Sequence, residues 1–260
     1  MSNATQKNTT RITGSLSAPP TIKINIATPS YGSTYSGAYV RTLYKVLSTG
    51  PKNRVSYSFS DIDYADVVTA RNYLISNFYF NKPDCSHILF IDDDMGFEAS
   101  LIYEMLNLKK DFIGVIAPKR KIDLKKLHSL SNQSYSKALA LSCEFVGTPK
   151  TVANDKNFVE VSSCGGGILL LTRECIKTMV DKCPDIIDSK KYIKMPFGSK
   201  FSQFITPFNK IQLEDKELSE DLSFAYRWTN ICNGKIYASI SSNIQHMTEI
   251  TLETKYGDLS

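Results

Sequence analysis

Asp92-Asp93-Asp94 sets three carboxylates side by side, directly after the apolar run Ile88-Leu89-Phe90-Ile91. Adjacent anions repel one another, which costs stability unless a cation or solvent relieves it. Oxygen ligands of this kind suit Mg²⁺ or Mn²⁺, which bind through one or two carboxylates and a substrate's phosphates. The plain alternative is a polar turn that ends a core strand. Other residue types able to do chemistry are spread along the chain: Arg71 within Ala70-Arg71-Asn72, the run Gly165-Gly166-Gly167, Glu220-Asp221 after Ser219, and His246. A guanidinium matches a diphosphate in geometry and keeps its charge at any working pH. As a surface residue, Arg71 would instead pair with Asp63 or Asp66. Three glycines let a ligand approach the backbone closely, or simply make a tight turn before a core strand. Acids in a helix's first turn suit its dipole without any catalytic role. A lone histidine is ordinarily a surface or core residue.

The elements that must position these residues follow from apolar spacing. Four apolar residues in a row are too few for a helix and typical of a strand buried on both faces. In open α/β sheets, ligands sit where such strands emerge. Residues 21–27 alternate and predict a first strand that stops at Pro29, then a turn-rich loop over 30–37. A helix is expected over about 38–47, with Tyr39, Val40, Leu43 and Tyr44 on one face. Residues 54–59 predict a second strand, and 66–75 a helix in which Arg71 or Asn72 faces outward. A helix over 98–108 and a strand over 111–118 follow, the strand ending in a basic loop, Lys119-Arg120-Lys121. This strand-helix-strand order is a βαβ unit and argues for a parallel sheet. Beyond the weakly periodic stretch 128–157, a strand follows the glycines, with Thr172 capping a helix through Val180. The four Phe of residues 197–210 suit either stacking on sugar rings or core packing. Ser219 opens a helix that closes at Asn233-Gly234, and residues 235–240 form a late strand.

The bulk numbers narrow the function classes. A chain of 260 residues suits one large α/β domain or two small ones, and the net charge of +5 fits anionic small molecules or an acidic surface. It does not suggest a dedicated nucleic-acid binder. No apolar run approaches a membrane span, and the N-terminus lacks a signal peptide's apolar core. Six scattered cysteines without a C-x-x-C pair read as reduced thiols in a cytosolic protein. Neither G-x-G-x-x-G nor a P-loop is present.

An apolar strand ending in Asp92-x-Asp94 resembles the signature of GT-A fold, nucleotide-sugar-dependent glycosyltransferases of the family 2-like kind. The resemblance spans about residues 21–247 and rests on order: strand and loop, Ala-Arg-Asn helix, Asp-x-Asp strand, glycine turn, Glu-Asp helix, late His. It implies an α/β fold, a GT-A-like (Rossmann-like), mostly parallel sheet flanked by helices, in a single domain over 21–260 after a flexible leader, 1–20. The nucleotide and metal half would be about 21–118 and the acceptor half about 119–250. It further implies Mn²⁺ or Mg²⁺ held by Asp92, Asp94 and His246. Donor contacts would come from Thr28, Pro29, Ser30 and Tyr31 in the first loop, and from Arg71, Asp92, Asp93, Gly165 and Gly166. Asp221, with Glu220 beside it, would be the catalytic base of an inverting transfer from a nucleotide diphosphate sugar to a hydroxyl acceptor on a glycan, lipid or protein. Membrane association would be peripheral and the setting cytoplasmic. The alternative is a carbohydrate- or nucleotide-binding module, or an inactive relative; a sugar nucleotidyltransferase is a less favoured one, because the Gly-rich loop expected after its first strand is missing.

Overall fold

The computed structural model describes residues 22–150, 157–188, 203–250 and 255. The expected leader, 1–20, lies outside the described residues, as do Phe197 and Phe201. The chain opens with β1 (Ile22–Ser30), α1 (Gly37–Thr49), β2 (Val55–Asp63), α2 (Val67–Asn81) and β3 (His87–Ile91). The acidic turn leads to β4 (Met95–Gly96), α3 (Ser100–Leu108), β5 (Phe112–Val115) and β6 (Ala117–Ile122). Next come α4 (Leu124–Ser129), α5 (Tyr135–Leu141), β7 (Cys143–Pro149), β8 (Phe158–Cys164), β9 (Ile168–Thr172) and α6 (Arg173–Lys182). The described chain ends with β10 (Ile187–Asp188), β11 (Phe204–Ile205), α7 (Glu220–Tyr226), β12 (Ile236–Ser239) and β13 (Gln245–His246).

One sheet runs in the order β2-β1-β3-β9-β5-β12-β8-β7-β6. Its β3 shows why an unbroken apolar run was required. Ile88 and Phe90 pack into one buried cluster with Leu74 and Phe78 of α2, Met179 of α6 and Phe224 of α7. Leu89 and Ile91 point the other way, joining Tyr39 and Val46 of α1 and Ile102 and Met105 of α3. The strand therefore has no wet face, and helices cover both sides of a single α/β domain. Burying each of these large apolar side chains contributes about 1.5–3 kcal/mol.

The sheet is mixed rather than mostly parallel. β1 is parallel to both β2 and β3, and β5 to β12. β9 is antiparallel to its neighbours β3 and β5, and β8 to β12 and β7. The expected βαβ unit keeps its direction but not its adjacency, because β9 is inserted between β3 and β5.

Several local expectations are corrected by packing. β1 continues through Pro29 to Ser30. Its even-numbered residues bond toward β2, as Ile22 N–H to Arg54 and Tyr64 N–H to Ser30 show. Pro29 faces the β3 side, where pairing ends at Ala27, so its missing N–H breaks no ladder bond. On α1, Ala38, Tyr39, Thr42 and Val46 are buried, while Val40 and Tyr44 are exposed. Lys119-Arg120-Lys121 is no loop; it is the middle of the edge strand β6. α7 ends at Tyr226, and a π turn over Arg227–Ile231 continues it. Phe204 and Phe208 are core residues, Phe208 stacked on Phe224 with centroids 4.4 Å apart.

Candidate functional site

The acidic turn is a backbone hub. Asp92 N–H donates to the Gly167 carbonyl at 2.9 Å, which pins the glycine turn. The Asp93 carbonyl accepts from Ser36 N–H at 2.9 Å, holding the loop after β1. The Asp94 carbonyl accepts from Met247 N–H at 2.9 Å, fixing the segment that carries His246. Segments far apart in sequence thus meet at the end of β3.

Beneath the turn lies a buried charge network. Arg71 and Asn72 are both buried, against the expectation that one faces outward. Asn72 donates to Asn209 at 2.9 Å and accepts from Phe208 N–H at 2.9 Å. Arg71 Nη2 donates to both Asp92 oxygens at 3.1 and 3.0 Å, and Nη1 to the Gly166 carbonyl at 2.7 Å. Asp63 and Asp66 do not pair with it; Asp66 caps α2, and Asp63 accepts from Gly32 N–H and Ser33. Gly166 is shared, because its own N–H donates to Asp221. A Cβ there would collide with the Asp221 carboxylate and reach 2.6 Å from Arg71 Nη1, so no other residue fits between them. Gly165 differs: its Cβ would only press on Val146, at 3.2 Å, so it packs against β7.

Burial pushes the Asp221 carboxyl above its ordinary range, against the opposing pull of Arg71 and the Gly166 N–H. Its Oδ1 is buried without a hydrogen-bond partner among the described residues. Such an orphan acceptor is costly, and a functional role is one reason a fold retains it. Burial likewise raises Asp92, while the two-pronged contact with Arg71 keeps that pair ionic. Asp92, Asp221 and Glu220 together hold Arg71 charged despite its desolvation. Glu220 sits beside Asp221 in the first turn of α7, capped by Ser219.

Above the turn opens a cavity of about 720 Å³, bordered by Tyr31, Tyr35, Ser36, Asp93, Asp94 and Arg120. That volume is in the range of small-molecule sites. Of the first-loop candidates only Tyr31 reaches it. Thr28 is buried and bonded to the Tyr39 hydroxyl at 2.7 Å, Ser30 bonds the Ile62 carbonyl, and Pro29 is buried. Met247, Thr248 and Glu249 also line it.

Asp94 faces His246 Nε2 at 3.4 Å and Arg120 Nη1 at 3.1 Å. The His246 hydrogen bond and charge, with Arg120, outweigh burial and hold Asp94 below the usual carboxylate range. His246 is raised in turn, chiefly by its bond to Asp94. On its other side, His246 Nδ1 lies 2.7 Å from the Pro118 carbonyl. That bond requires Nδ1–H, so the lone pair of the neutral ring is on Nε2, toward Asp94. The expected metal trio is therefore split: Asp94 and His246 come together, while both Asp92 oxygens face Arg71. Among the described residues, no group of three His, Cys, Asp or Glu side chains forms a ready cation cage.

Asp93 is raised to about 6, first by burial and then by repulsion from Asp94. The folded chain then holds a proton that the unfolded chain has released, so Asp93 subtracts stability as pH rises through about 4 to 6. Asp93→Asn is expected to raise Tm by roughly 2 °C at pH 8, after discounting for solvent screening, with the gain vanishing toward pH 4. Thermal melts at the two pH values check it.

Ser36, Tyr35, Arg120 and Met247 were missed by sequence reasoning. Only Arg120 carried a signal, within a basic run. Among the described residues, no helix is long and apolar enough to cross a membrane. No family model matches the chain, and no curated protein does. Among solved structures, the chain is similar to A197 from STIV at 17% identity, over 88% of this chain and 87% of that one, with a TM-score of 0.47. It is more distantly similar to a glycosyltransferase involved in the glycosylation of the major capsid of PBCV-1, at 8% identity over 59% of this chain and 62% of that one, with a TM-score of 0.32.

Proposed function

We propose that the chain is a GT-A-like glycosyltransferase moving a sugar from a nucleotide diphosphate donor to a hydroxyl acceptor, with inversion. The observation that carries this is the pairing of Asp94 with His246 Nε2, the ring oriented by Pro118, at the mouth of a ligand-sized cavity. One carboxylate and one oriented imidazole suit Mn²⁺ or Mg²⁺, whose remaining positions a diphosphate and water fill. The fit is to such a shared site, not to an all-protein cage. A cation bound there would neutralise charge on the leaving diphosphate. Tyr31 and Tyr35 border the cavity where a base or sugar would lie, Arg120 offers a guanidinium to phosphate, and Asp221 would accept the proton of the attacking hydroxyl.

The test is thermal shift against a panel of nucleotide diphosphate sugars, with and without Mn²⁺. A single nucleotide is expected to stabilise the chain only with metal, by about 2.7 kcal/mol at ~100 Kd, or roughly 5–10 °C. Asp94→Ala should abolish the shift. Because His246 must lose its proton to ligate, the metal-linked shift should grow as pH rises through its elevated pKa. The hold of Arg71 Nη2 on both Asp92 oxygens, which takes Asp92 from the metal trio, favours one second reading, a nucleotide- or carbohydrate-binding module without turnover. Stabilisation by a ligand irrespective of metal, retained in Asp94→Ala, would select it.

A further inference from the structure

The chain's excess charge is concentrated in one place. Residues 117–150 contain seven Lys and Arg against Asp123 and Glu144, a surplus equal to the +5 of the whole chain. They form β6, α4, α5 and β7 at one end of the sheet. Among the described residues, none from 118 to 150 belongs to either buried core cluster. Instead this end leaves large apolar side chains in solvent: Leu124 is 51% exposed, Tyr135 74%, Leu141 43% and Phe145 44%. Ile250 joins them from the segment beyond β13, at 50%.

Lysines and apolar groups share one continuous face. A hollow holding Leu124, Lys125, Lys126 and Leu141 adjoins one lined by Lys119, Tyr135, Phe145 and Ile250, and Lys121, Ile122 and Cys143 belong to both. Lys119 is paired with Glu144. Among the described residues, Lys121 makes no direct ion pair, although its charge also acts on Glu144; Lys125 and Lys126 have no carboxylate partner, and Asp123 is engaged in capping α4.

We infer that this face docks on an anionic lipid surface, its lysines toward the headgroups and Leu124, Tyr135 and Leu141 in the boundary beneath them. The mixture of groups selects the occupant. A nucleic acid would satisfy the lysines and leave the leucines in water. A second copy meeting the same face would set lysine against lysine. An anionic bilayer takes both kinds of group at once. Strand alternation links the face to the cavity, since Lys119 and Lys121 point to it while Arg120 points to Asp94. The docking inference does not depend on the transferase reading.

Co-sedimentation of the full chain with phosphatidylcholine vesicles, with and without phosphatidylglycerol, tests it. Binding is expected only to the anionic vesicles and should weaken as salt rises. Replacing Lys121, Lys125 and Lys126 together with Ala should lower the affinity roughly a hundredfold, at about a factor of five per lysine. Leu124→Ser with Leu141→Ser should lower it severalfold while leaving the salt dependence unchanged. Both variants change exposed side chains, and an unaltered Tm confirms that they fold. Equal binding to both vesicle types, no binding, or indifference to the lysine changes would overturn the inference. So would duplex DNA binding as tightly as the vesicles with the leucine variant unaffected, which would make this a nucleic-acid surface.

Discussion

Replacing Arg71 with leucine is expected to destabilise the fold by about 3 kcal/mol at pH 8, the cost of stripping the partly buried Asp92 carboxylate of its counter-charge. Tm should fall by roughly 10 °C. Asp92 loses two hydrogen bonds, the Gly166 carbonyl loses one, and Asp221 loses the nearest positive charge. The loss should depend on pH, with a definite sign. Burial already raises both carboxyls, and without the guanidinium they rise further. The folded variant then binds protons that its unfolded chain has released, so its stability falls as pH climbs. The penalty is therefore smallest near pH 4 and complete by pH 8. Adding Asp92→Asn should restore a large part of it, because the pair acts as a unit. Urea unfolding of the single and double variants at both pH values measures this. A pH-independent loss under about 1 kcal/mol would show the pair to be no stronger than a surface ion pair.

The second large effect concerns chemistry. Asp221→Asn should lower sugar transfer by about 10²–10⁴-fold, the range for a positioned general base. The asparagine keeps an acceptor for the Gly166 N–H, so the fold should survive. Metal-linked donor binding at Asp94 and His246 should be untouched. In the native chain, the rate should fall with acidity over a range set by the raised Asp221 pKa. Turnover near the native rate in the variant would remove Asp221 from the reaction. Loss of donor binding together with turnover would assign it a positioning role instead.

How far these features could be read from the sequence depends on how local their causes are. Ile88–Ile91 was legible because a strand buried on both faces must be apolar throughout. The caps of α6 and α7 were also legible, since Thr172 and Ser219 act on amides three residues away; the α2 cap was missed, residue 66 being read as part of the helix. Arg71 and Asn72 were misplaced because their partners, Gly166 and Asn209, lie 95 and 137 residues on, beyond any periodicity. Lys119-Arg120-Lys121 looked like a solvated loop because an edge strand needs no apolar alternation. The meeting of Asp94 with His246 was implied only by the order of motifs. What brings them together is backbone pairing of β13 with β4, which no side-chain pattern records.

The insertion of β9 has a consequence for how the chain can be made. β3, buried on both faces, gains its second neighbour only when residues 168–172 arrive, some eighty positions later along the chain. Until then one edge of β3 is bare, with Ile88, Leu89, Phe90 and Ile91 beside unpaired amides, a template for pairing between chains. A fragment ending near residue 118 would hold every acidic residue of the turn and still lack the strand that closes its sheet. It is expected to aggregate instead of folding as a nucleotide-binding half. During synthesis, too, closure of the central sheet must await β9, so the chain assembles as one late, long-range event and not as two halves in succession.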